Sequence, residues 1–207
     1  MLSFSRKEIV VLFVLFIIML VSYFSGFDYF LSDLIGSDIS IDLFVFFSYS
    51  YYLGYLFVLS IFFLFKDERA LFSFIFHIVI ISLIHFCFTS FLMRPRPPNA
   101  SKAGPVLDDI NKYGYVSSFP SGHAAIAISG FTLFKEKKYP SFIIFVAGFP
   151  IIIGRLFMNH HYLSDMIGGV ILGYLITRFL FSVFVRFFDE HFLFGRIIGF
   201  VSKKIKK

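Results

Sequence analysis

Residues 117–134 read SSFPSGHAAIAISGFTLF, a polar opening that runs into an apolar segment. Pro120 suits the start of a helix, because a first-turn N–H has no helical partner and proline has none to lose. The N–H groups of Ser121 and Gly122 would then lie in the first turn, where they and the helix dipole favour an anion such as phosphate. Simple capping is the alternative, but capping does not explain His123. The stretch predicts a short buried helix that opens on a possible anion site.

Composition places this helix in a membrane. The chain of 207 residues is 58% hydrophobic and 22% aromatic, and only 15% of its residues are charged, against about a quarter in soluble domains. A helical span needs roughly 20 apolar residues. We therefore predict an all-α polytopic membrane protein, with six transmembrane helices in one bundle and a single domain over residues 1–207. The single cysteine, Cys87, cannot form an intrachain disulfide.

Polar residues divide the chain into six predicted spans, which cover residues 8–25, 43–65, 70–93, 121–134, 140–158 and 163–188. A signal peptide is the alternative for the first run, but the run is long and no small-x-small cleavage site follows it. Residues 28–42 are predicted to be an acidic connector and residues 94–119 a polar loop. Residues 188–207 suggest either a basic amphipathic segment on the cytoplasmic leaflet or a solvated tail.

Charge placement predicts the orientation of the bundle. With a cytoplasmic N-terminus, thirteen of the 19 Lys and Arg residues are cytoplasmic, five lie on the other side and Arg178 lies within the last span. This asymmetry follows the positive-inside rule. We therefore expect a multi-pass inner-membrane protein with both termini in the cytoplasm. The net charge of +6 then reports topology, and no nucleic-acid partner is expected.

Three polar clusters fall at the outer face of this layout: residues 93–99 (MRPRPPN), residues 120–123 (PSGH) and residues 154–165 (GRLFMNHHYLSD). Arg96 is stiffened by flanking prolines and suits bidentate contact with phosphate oxygens, although a snorkelling arginine is the alternative. Arg155 lies near the end of an apolar span, where an unpaired cation costs about 3 kcal/mol. The predicted layout therefore brings two arginines to one face of the membrane.

The third cluster also contains a histidine and a carboxylate at helical spacing. His161 and Asp165 are four residues apart, so on a helix they share one face and can hydrogen-bond. Such a bond would fix the tautomer and leave the other ring nitrogen as a nucleophile or base. His160 points elsewhere and is predicted to be a rim residue. His77 and His85 share a face of the third span and are predicted to line the bundle interior.

Together the clusters resemble the signature of the type-2 phosphatidate phosphatase superfamily of membrane lipid phosphate phosphatases. That signature is Lys, six residues, Arg-Pro; then Pro-Ser-Gly-His; then Ser-Arg, five residues, His, three residues, Asp. This chain has Arg96-Pro97, residues 120–123, and then Arg155, His161 and Asp165 at the family spacing, within residues 89–165.

Two positions depart from the signature. Thr89 stands where the family has lysine, and Gly154 where it has serine. Losing the lysine should weaken the neutralisation of phosphate charge. Arg94 and Lys102 are the candidate replacements.

The resemblance implies a mechanism without metal or cofactor. His161 would attack phosphorus and form a phosphohistidine, with Asp165 orienting it, and His123 would be the general acid. Arg96, Arg155 and the amides around Ser121 and Gly122 would bind the phosphate oxygens. A zinc site built from His123, His160, His161 and Asp165 is the alternative to metal independence.

The resemblance also implies a phosphorylated membrane lipid as substrate. Lipid A 1-phosphate, undecaprenyl pyrophosphate, phosphatidylglycerophosphate and phosphatidate all remain open. A lipid phosphotransferase that uses the same intermediate is one alternative function. A non-catalytic lipid transporter or scaffold is the other.

Overall fold

The computed structural model describes residues 4–35, 50–66, 68–97, 117–136, 138–139 and 141–190. These residues form seven α-helices and contain no strand, which confirms the all-α prediction for this part of the chain. The helices are α1 (Arg6–Phe24), α2 (Phe27–Ile35), α3 (Ser50–Lys66), α4 (Glu68–Leu92), α5 (Gly122–Glu136), α6 (Ser141–Phe157) and α7 (Leu163–Glu190). Lys102 and most of the predicted tail, residues 191–207, lie outside the described residues.

Among the residues that the structure describes, three stretches are long and apolar enough to cross a membrane: Arg6–Phe24, Leu71–Leu92 and Leu163–Val183. Tyr51–Phe65 and Ser141–Phe157 are shorter apolar helices. Many large apolar side chains point outward, as Phe65 and Phe91 do at 82% and 87% exposure. Contiguous apolar surface of this kind is typical of contact with lipid. The count of six spans stays a prediction.

The short helix α5 forms the centre of the bundle. It packs against α4, α6 and α7, and ten of its residues between Ala124 and Phe134 are buried. Its 15 residues rise only about 22 Å, which is less than the roughly 30 Å hydrocarbon core of a bilayer. The first residues of α5 can therefore lie deeper in the bundle than the ends of the longer helices around it.

Two glycines of α7 allow α5 to approach closely. A Cβ atom on Gly169 would overlap the carbonyl oxygen of Ser121, and one on Gly173 would overlap that of Ala125. Small residues at such positions let helix backbones come together in membranes. The first turn of α5 is thus held against α7 by backbone contact.

The end of the bundle opposite the start of α5 is tied together by charged residues. Glu8, near the start of α1, forms an ion pair of 2.7 Å with Lys135, near the end of α5. Tyr174 of α7 donates to Glu8, and Arg178 pairs with Glu136. Arg178, predicted to lie alone in the last span, therefore belongs to a charge cluster at the end where α1 begins.

The predicted acidic connector is wrong for its first part, because residues 27–35 form the helix α2. Its buried face carries Asp28, Ser32 and Ile35, which fall at i, i+4 and i+7. Asp33 is exposed on the other side. Asp28 is 1% exposed, so it belongs to the interior of the protein.

Candidate active site

The first turn of α5 begins one residue later than predicted. Ser121 is the N-cap: its Oγ accepts from the N–H of Ala124 at 3.5 Å, and its carbonyl accepts from Ala125 at 3.1 Å. Pro120 therefore precedes the cap and does not occupy the first turn. The N–H of Ser121 donates to the carbonyl of Asp165 at 3.0 Å, which joins the start of α5 to α7. The first-turn amides are those of Gly122, His123 and Ala124.

A Schellman motif at the end of α6 delivers the histidines of the third cluster. Asn159 has a φ of 55°, a left-handed conformation that Asn tolerates better than most residues. The N–H of His160 donates to the carbonyl of Arg155 at 3.2 Å, and that of Asn159 to Leu156 at 2.9 Å. These bonds reverse the chain at once. Arg155 and His161 are therefore placed at the same end of the bundle.

The His161 ring is oriented by a backbone carbonyl. Its Nδ1 lies 2.7 Å from the carbonyl oxygen of Ser118, and the residue is only 3% exposed. A carbonyl can only accept, so Nδ1 must carry the proton and Nε2 keeps its lone pair. The tautomer needed for a nucleophile is thus set by Ser118.

Asp165 lies near this ring but does not hydrogen-bond to it. Its Oδ2 is 3.9 Å from Nδ1 of His161, which is too long for a hydrogen bond but close enough for electrostatic interaction. Oδ2 accepts instead from the N–H of Tyr162 at 2.8 Å, and Oδ1 accepts from Arg94 at 2.5 Å. The predicted hydrogen bond between His161 and Asp165 is therefore not formed, and the two groups interact only electrostatically.

Electrostatics keep His161 neutral. Burial lowers the pKa of this imidazole well below its usual value, and the nearby guanidinium groups of Arg155 and Arg96 lower it further. The bond to Ser118 acts in the opposite direction but is outweighed. A neutral imidazole with a free Nε2 is the form that can attack phosphorus.

His123 shares this electrostatic environment. Arg155 interacts electrostatically with both His123 and His161, and the two imidazoles also interact with each other. The ring of Tyr52 packs on that of His123 with the centroids 4.6 Å apart. Arg155 is 2% exposed. Two imidazoles and a buried cation therefore meet at one end of the bundle.

The segment that follows α4 is tied to both other clusters through Ser118. The N–H of Ser118 donates to the carbonyl of Arg94 at 2.8 Å, and its Oγ to that of Pro95 at 3.0 Å. Arg96 is half-buried, and its Nη1 donates to the carbonyl of His160 at 3.3 Å. The structure thus confirms that the three clusters meet at one end of the bundle, away from the start of α1.

A family model described as the PAP2 superfamily matches residues 70–189, more than half of the chain. The chain belongs to the PAP2 superfamily. This membership confirms the resemblance seen in the three motifs.

This PAP2 chain is also similar to two individual proteins. A lipid A 4'-phosphatase from Porphyromonas gingivalis is 26% identical over 74 residues, which are 36% of this chain and 31% of that protein. The chain therefore matches about a third of the length of that relative. The crystal structure of a transmembrane PAP2-type phosphatidylglycerolphosphate phosphatase from Bacillus subtilis has a TM-score of 0.60 at 19% identity. The matched region covers 88% of this chain and 96% of the Bacillus subtilis chain. The two proteins share a fold.

In this PAP2 chain the position of the family lysine is neutral. Thr89 is 6% exposed and donates to the carbonyl of Phe86 at 2.9 Å. Of the two candidate replacements, Lys102 lies outside the described residues, and Arg94 is held in buried ion pairs with Asp28 at 2.8 Å and Asp165 at 2.5 Å. Burial alone would lower the pKa of Arg94, but the two carboxylates outweigh burial and raise it. These contacts favour an internal role for Arg94.

Sequence reasoning missed Asp28 and misplaced His160. The available signal for Asp28 was its helical spacing in the segment FDYFLSDLI, where it lies four residues before Ser32 and seven before Ile35. His160 was predicted to lie on the rim and is 3% exposed. His77 is fully buried, and its Nε2 lies 3.2 Å from the carbonyl of Thr177, as its predicted interior position requires.

His85 lies much closer to the site than its span position suggested. Its ring would be 3.2 Å from a Cβ atom on Gly122. A cavity of about 190 Å³ lies beside it, lined by Tyr52, Ile81, Ser82, His85, Gly122, His123 and Ile126. Space for part of a substrate therefore adjoins the ring of His123.

Proposed function

We propose that this PAP2 protein is a lipid phosphatase that removes phosphate from a membrane lipid through a phosphohistidine at His161. The observation that carries the proposal is the bond from Nδ1 of His161 to the carbonyl of Ser118, since it leaves Nε2 unprotonated on a ring that interacts electrostatically with Arg155 and Arg96. Arg96 and Arg155 supply that positive charge. The combination of a fixed nucleophile and two guanidinium groups matches what phosphoryl transfer requires.

In the first step, Nε2 of His161 attacks phosphorus and the bond from phosphorus to the lipid oxygen breaks. His123 takes up a proton when the negatively charged phosphate group binds beside it, because a nearby opposite charge favours the charged imidazole. It gives that proton to the leaving oxygen, so the lipid leaves as an alcohol, or as a lipid phosphate when the substrate is a pyrophosphate. The phosphorylated ring still carries its Nδ1 proton and so gains positive charge. Asp165, at 3.9 Å, would stabilise that charge without taking the proton.

In the second step, water attacks the phosphohistidine. His123 takes a proton from the water, the bond between phosphorus and Nε2 breaks, and free phosphate leaves. Arg96, Arg155 and the first-turn amides around Ser121 and Gly122 hold the equatorial oxygens in both steps. The amide of Gly122 suits this role better than that of Ser121, which already donates to Asp165.

We propose that the reaction needs no metal. Within the part of the chain that the structure describes, no group of three or more His, Cys, Asp or Glu side chains is arranged to hold a metal ion. The zinc alternative needed such a group from His123, His160, His161 and Asp165. The chemistry of the donor set therefore supports catalysis by arginines and imidazoles.

The substrate class proposed is a phosphorylated lipid at the outer face of the inner membrane. Both relatives are named for phosphorylated lipids, lipid A and phosphatidylglycerolphosphate. The orientation rests on the thirteen cytoplasmic Lys and Arg residues of the predicted layout. The site lies at the opposite end of the bundle from the start of α1, which the same layout puts in the cytoplasm.

Phosphate release by the detergent-purified protein tests the proposal. Lipid A, phosphatidylglycerophosphate, phosphatidate and undecaprenyl pyrophosphate would be compared, each with EDTA present. We expect release with EDTA from the wild type and the control Cys87→Ala, whose site is exposed at the surface. His161→Asn should lose it by at least about 10³-fold. Equal release from His161→Asn and the wild type would exclude the nucleophile. Transfer of the phosphoryl group to an added lipid acceptor, without release of free phosphate, would indicate the phosphotransferase.

A further inference from the structure

The short helix α2 grips the turn that carries His161 at three points. The carbonyl of Ser32 accepts from Nδ2 of Asn159 at 3.0 Å. The ring of Tyr29 packs on that of Tyr162, with the centroids 5.1 Å apart. The third point is the buried carboxylate of Asp28. The turn between α6 and α7 is therefore covered by a helix that contributes none of the proposed catalytic residues.

The carboxylate of Asp28 accepts several hydrogen bonds from other parts of the chain. Its Oδ1 accepts from the N–H of Ser164 at 3.0 Å, at the start of α7, and the hydroxyl of Ser164 donates to Oδ2. A carboxylate is favourable at a helix N-terminus, because it accepts from first-turn amides and complements the dipole. Asp28 thus caps α7 from a distant part of the chain.

The same carboxylate also orients Arg94. Oδ2 of Asp28 accepts from Nη2 of Arg94 at 2.8 Å, while Nη1 donates to Ser164 at 2.6 Å and to Asp165 at 2.5 Å. The guanidinium carbon lies 4.6 Å from the centroid of the Tyr23 ring and 4.3 Å from that of the Tyr162 ring. Both terminal nitrogens of Arg94 are therefore held by protein groups.

Removing one partner of a buried ion pair leaves the other charge uncompensated, and its neighbours must rearrange. Without Asp28, the guanidinium of Arg94 would keep Asp165 as its only carboxylate partner in the described network. The guanidinium of Arg94, no longer held by Asp28, would shift and move the bonded Asp165 carboxylate with it. That movement would change the distance of 3.9 Å between Asp165 and the His161 ring. The positive charge on the phosphohistidine would be stabilised by the Asp165 carboxylate across this distance, so a change in it would weaken that stabilisation.

We propose that Asp28 is a positioning residue for the reaction at His161, acting through Arg94 and the capped start of α7. The role rests on the proposed function, because the reaction at His161 is the one proposed above. It also assigns Arg94 to the support of Asp165, and not to the phosphate. A positioning residue should lower kcat and leave KM nearly unchanged, since substrate binding does not involve it.

The test compares Asp28→Asn, Arg94→Gln, the double variant and Asp33→Asn in detergent, with activity normalised to the folded fraction. Asp33 lies on the same helix, is exposed, and is the matched control. We expect each of the first two variants to lose about 10- to 100-fold in kcat, with KM within about threefold. The kcat of the double variant should equal that of the less active single variant, because both substitutions disrupt the same network. Asp33→Asn should behave like the wild type.

Three results would overturn the positioning role. They are a wild-type kcat for Asp28→Asn, losses that multiply in the double variant, and a KM that rises for Arg94→Gln alone. The last would indicate that Arg94 binds the phosphate directly.

Binding of inorganic orthovanadate, a five-coordinate analogue of the transition state, separates this proposal from the proposed function. Calorimetry with the wild type and Asp28→Asn needs no lipid. We expect Asp28→Asn to weaken orthovanadate about tenfold or more, and inorganic phosphate far less. If Asp28→Asn binds orthovanadate more weakly than the wild type does, yet the wild type hydrolyses no lipid phosphate, only the proposed function fails. If the two proteins bind orthovanadate equally, or neither binds it, the positioning role fails.

Discussion

Replacing Gly169 with alanine should disturb both stability and catalysis, because this glycine is where α7 touches the start of α5. A methyl group there would overlap the carbonyl oxygen of Ser121 and lie 3.0 Å from Cβ of Ala124. Ordinary contacts between carbon atoms begin near 3.5 Å. The first turn of α5 must therefore move by about 1 Å relative to α7.

The magnitude follows from that displacement. Overpacking of this kind typically costs about 1–3 kcal/mol of stability. The same shift stretches the bond from the Ser121 N–H to the carbonyl of Asp165, now 3.0 Å, and moves His123 relative to His161. A misplacement of about 1 Å in a catalytic site can cost about 10²-fold in rate. We expect Gly169→Ala to lower kcat by that order in the folded fraction.

Gly54→Ala is the matched control, because no atom lies within 4 Å of a Cβ atom at that helical position. Both variants would be measured for phosphate release and for thermal unfolding in the same detergent. Gly54→Ala should keep the wild-type kcat and melt at or slightly above the wild-type temperature. If Gly169→Ala matched Gly54→Ala in both measurements, the close approach of α5 and α7 would be refuted.

Three further predictions concern other parts of the molecule. The acid limb of kcat/KM should lie below pH 6.5, because the pKa of His161 is lowered and the ring protonates only at more acidic pH; a midpoint above 6.5 in a pH–rate profile would contradict this. Asn159→Gly should fold, whereas Asn159→Val should lose about 1–3 kcal/mol in denaturant unfolding, because valine resists the left-handed φ of 55°. Equal unfolding of the two would argue against the Schellman motif. Lys135→Ala should cost at most about 1 kcal/mol in thermal unfolding and leave KM unchanged, since its side chain is 42% exposed and lies at the far end of the bundle.

Local features of the sequence predicted the fold class and the members of the site. Hydrophobic runs report burial in lipid, and motif spacing is read directly from the chain, so the helical class and the three clusters followed from short windows. Counting spans also predicted that Arg96, His123 and His161 would meet at one end. The structure confirms this through the bond from Arg96 to His160 and the electrostatic interactions of both imidazoles with Arg96. These inferences needed no knowledge of how side chains pack.

Interactions between distant residues could not be predicted in the same way. The i, i+4 rule suggested Asp165 as the partner of His161, but the carbonyl of Ser118, 43 residues away, is closer. Which of these acceptors binds Nδ1 of His161 depends on how residues 117–121, which precede α5, pack against the turn before α7. Arg94 illustrates the same limit. Its position in the sequence made it a candidate replacement for the family lysine, whereas in the structure it is held by Asp28, 66 residues away.

By itself, the sequence determined that this chain is a helical membrane protein carrying an ordered set of imidazoles, arginines and a carboxylate. Composition, periodicity and spacing are properties of the chain and hold before it folds. Only the tertiary structure decided which nitrogen of His161 bears the proton, that Arg94 turns inward, and that α2 covers the turn beside it. Those outcomes depend on competition between several buried donors and acceptors, and the competition is resolved only when the helices are packed together.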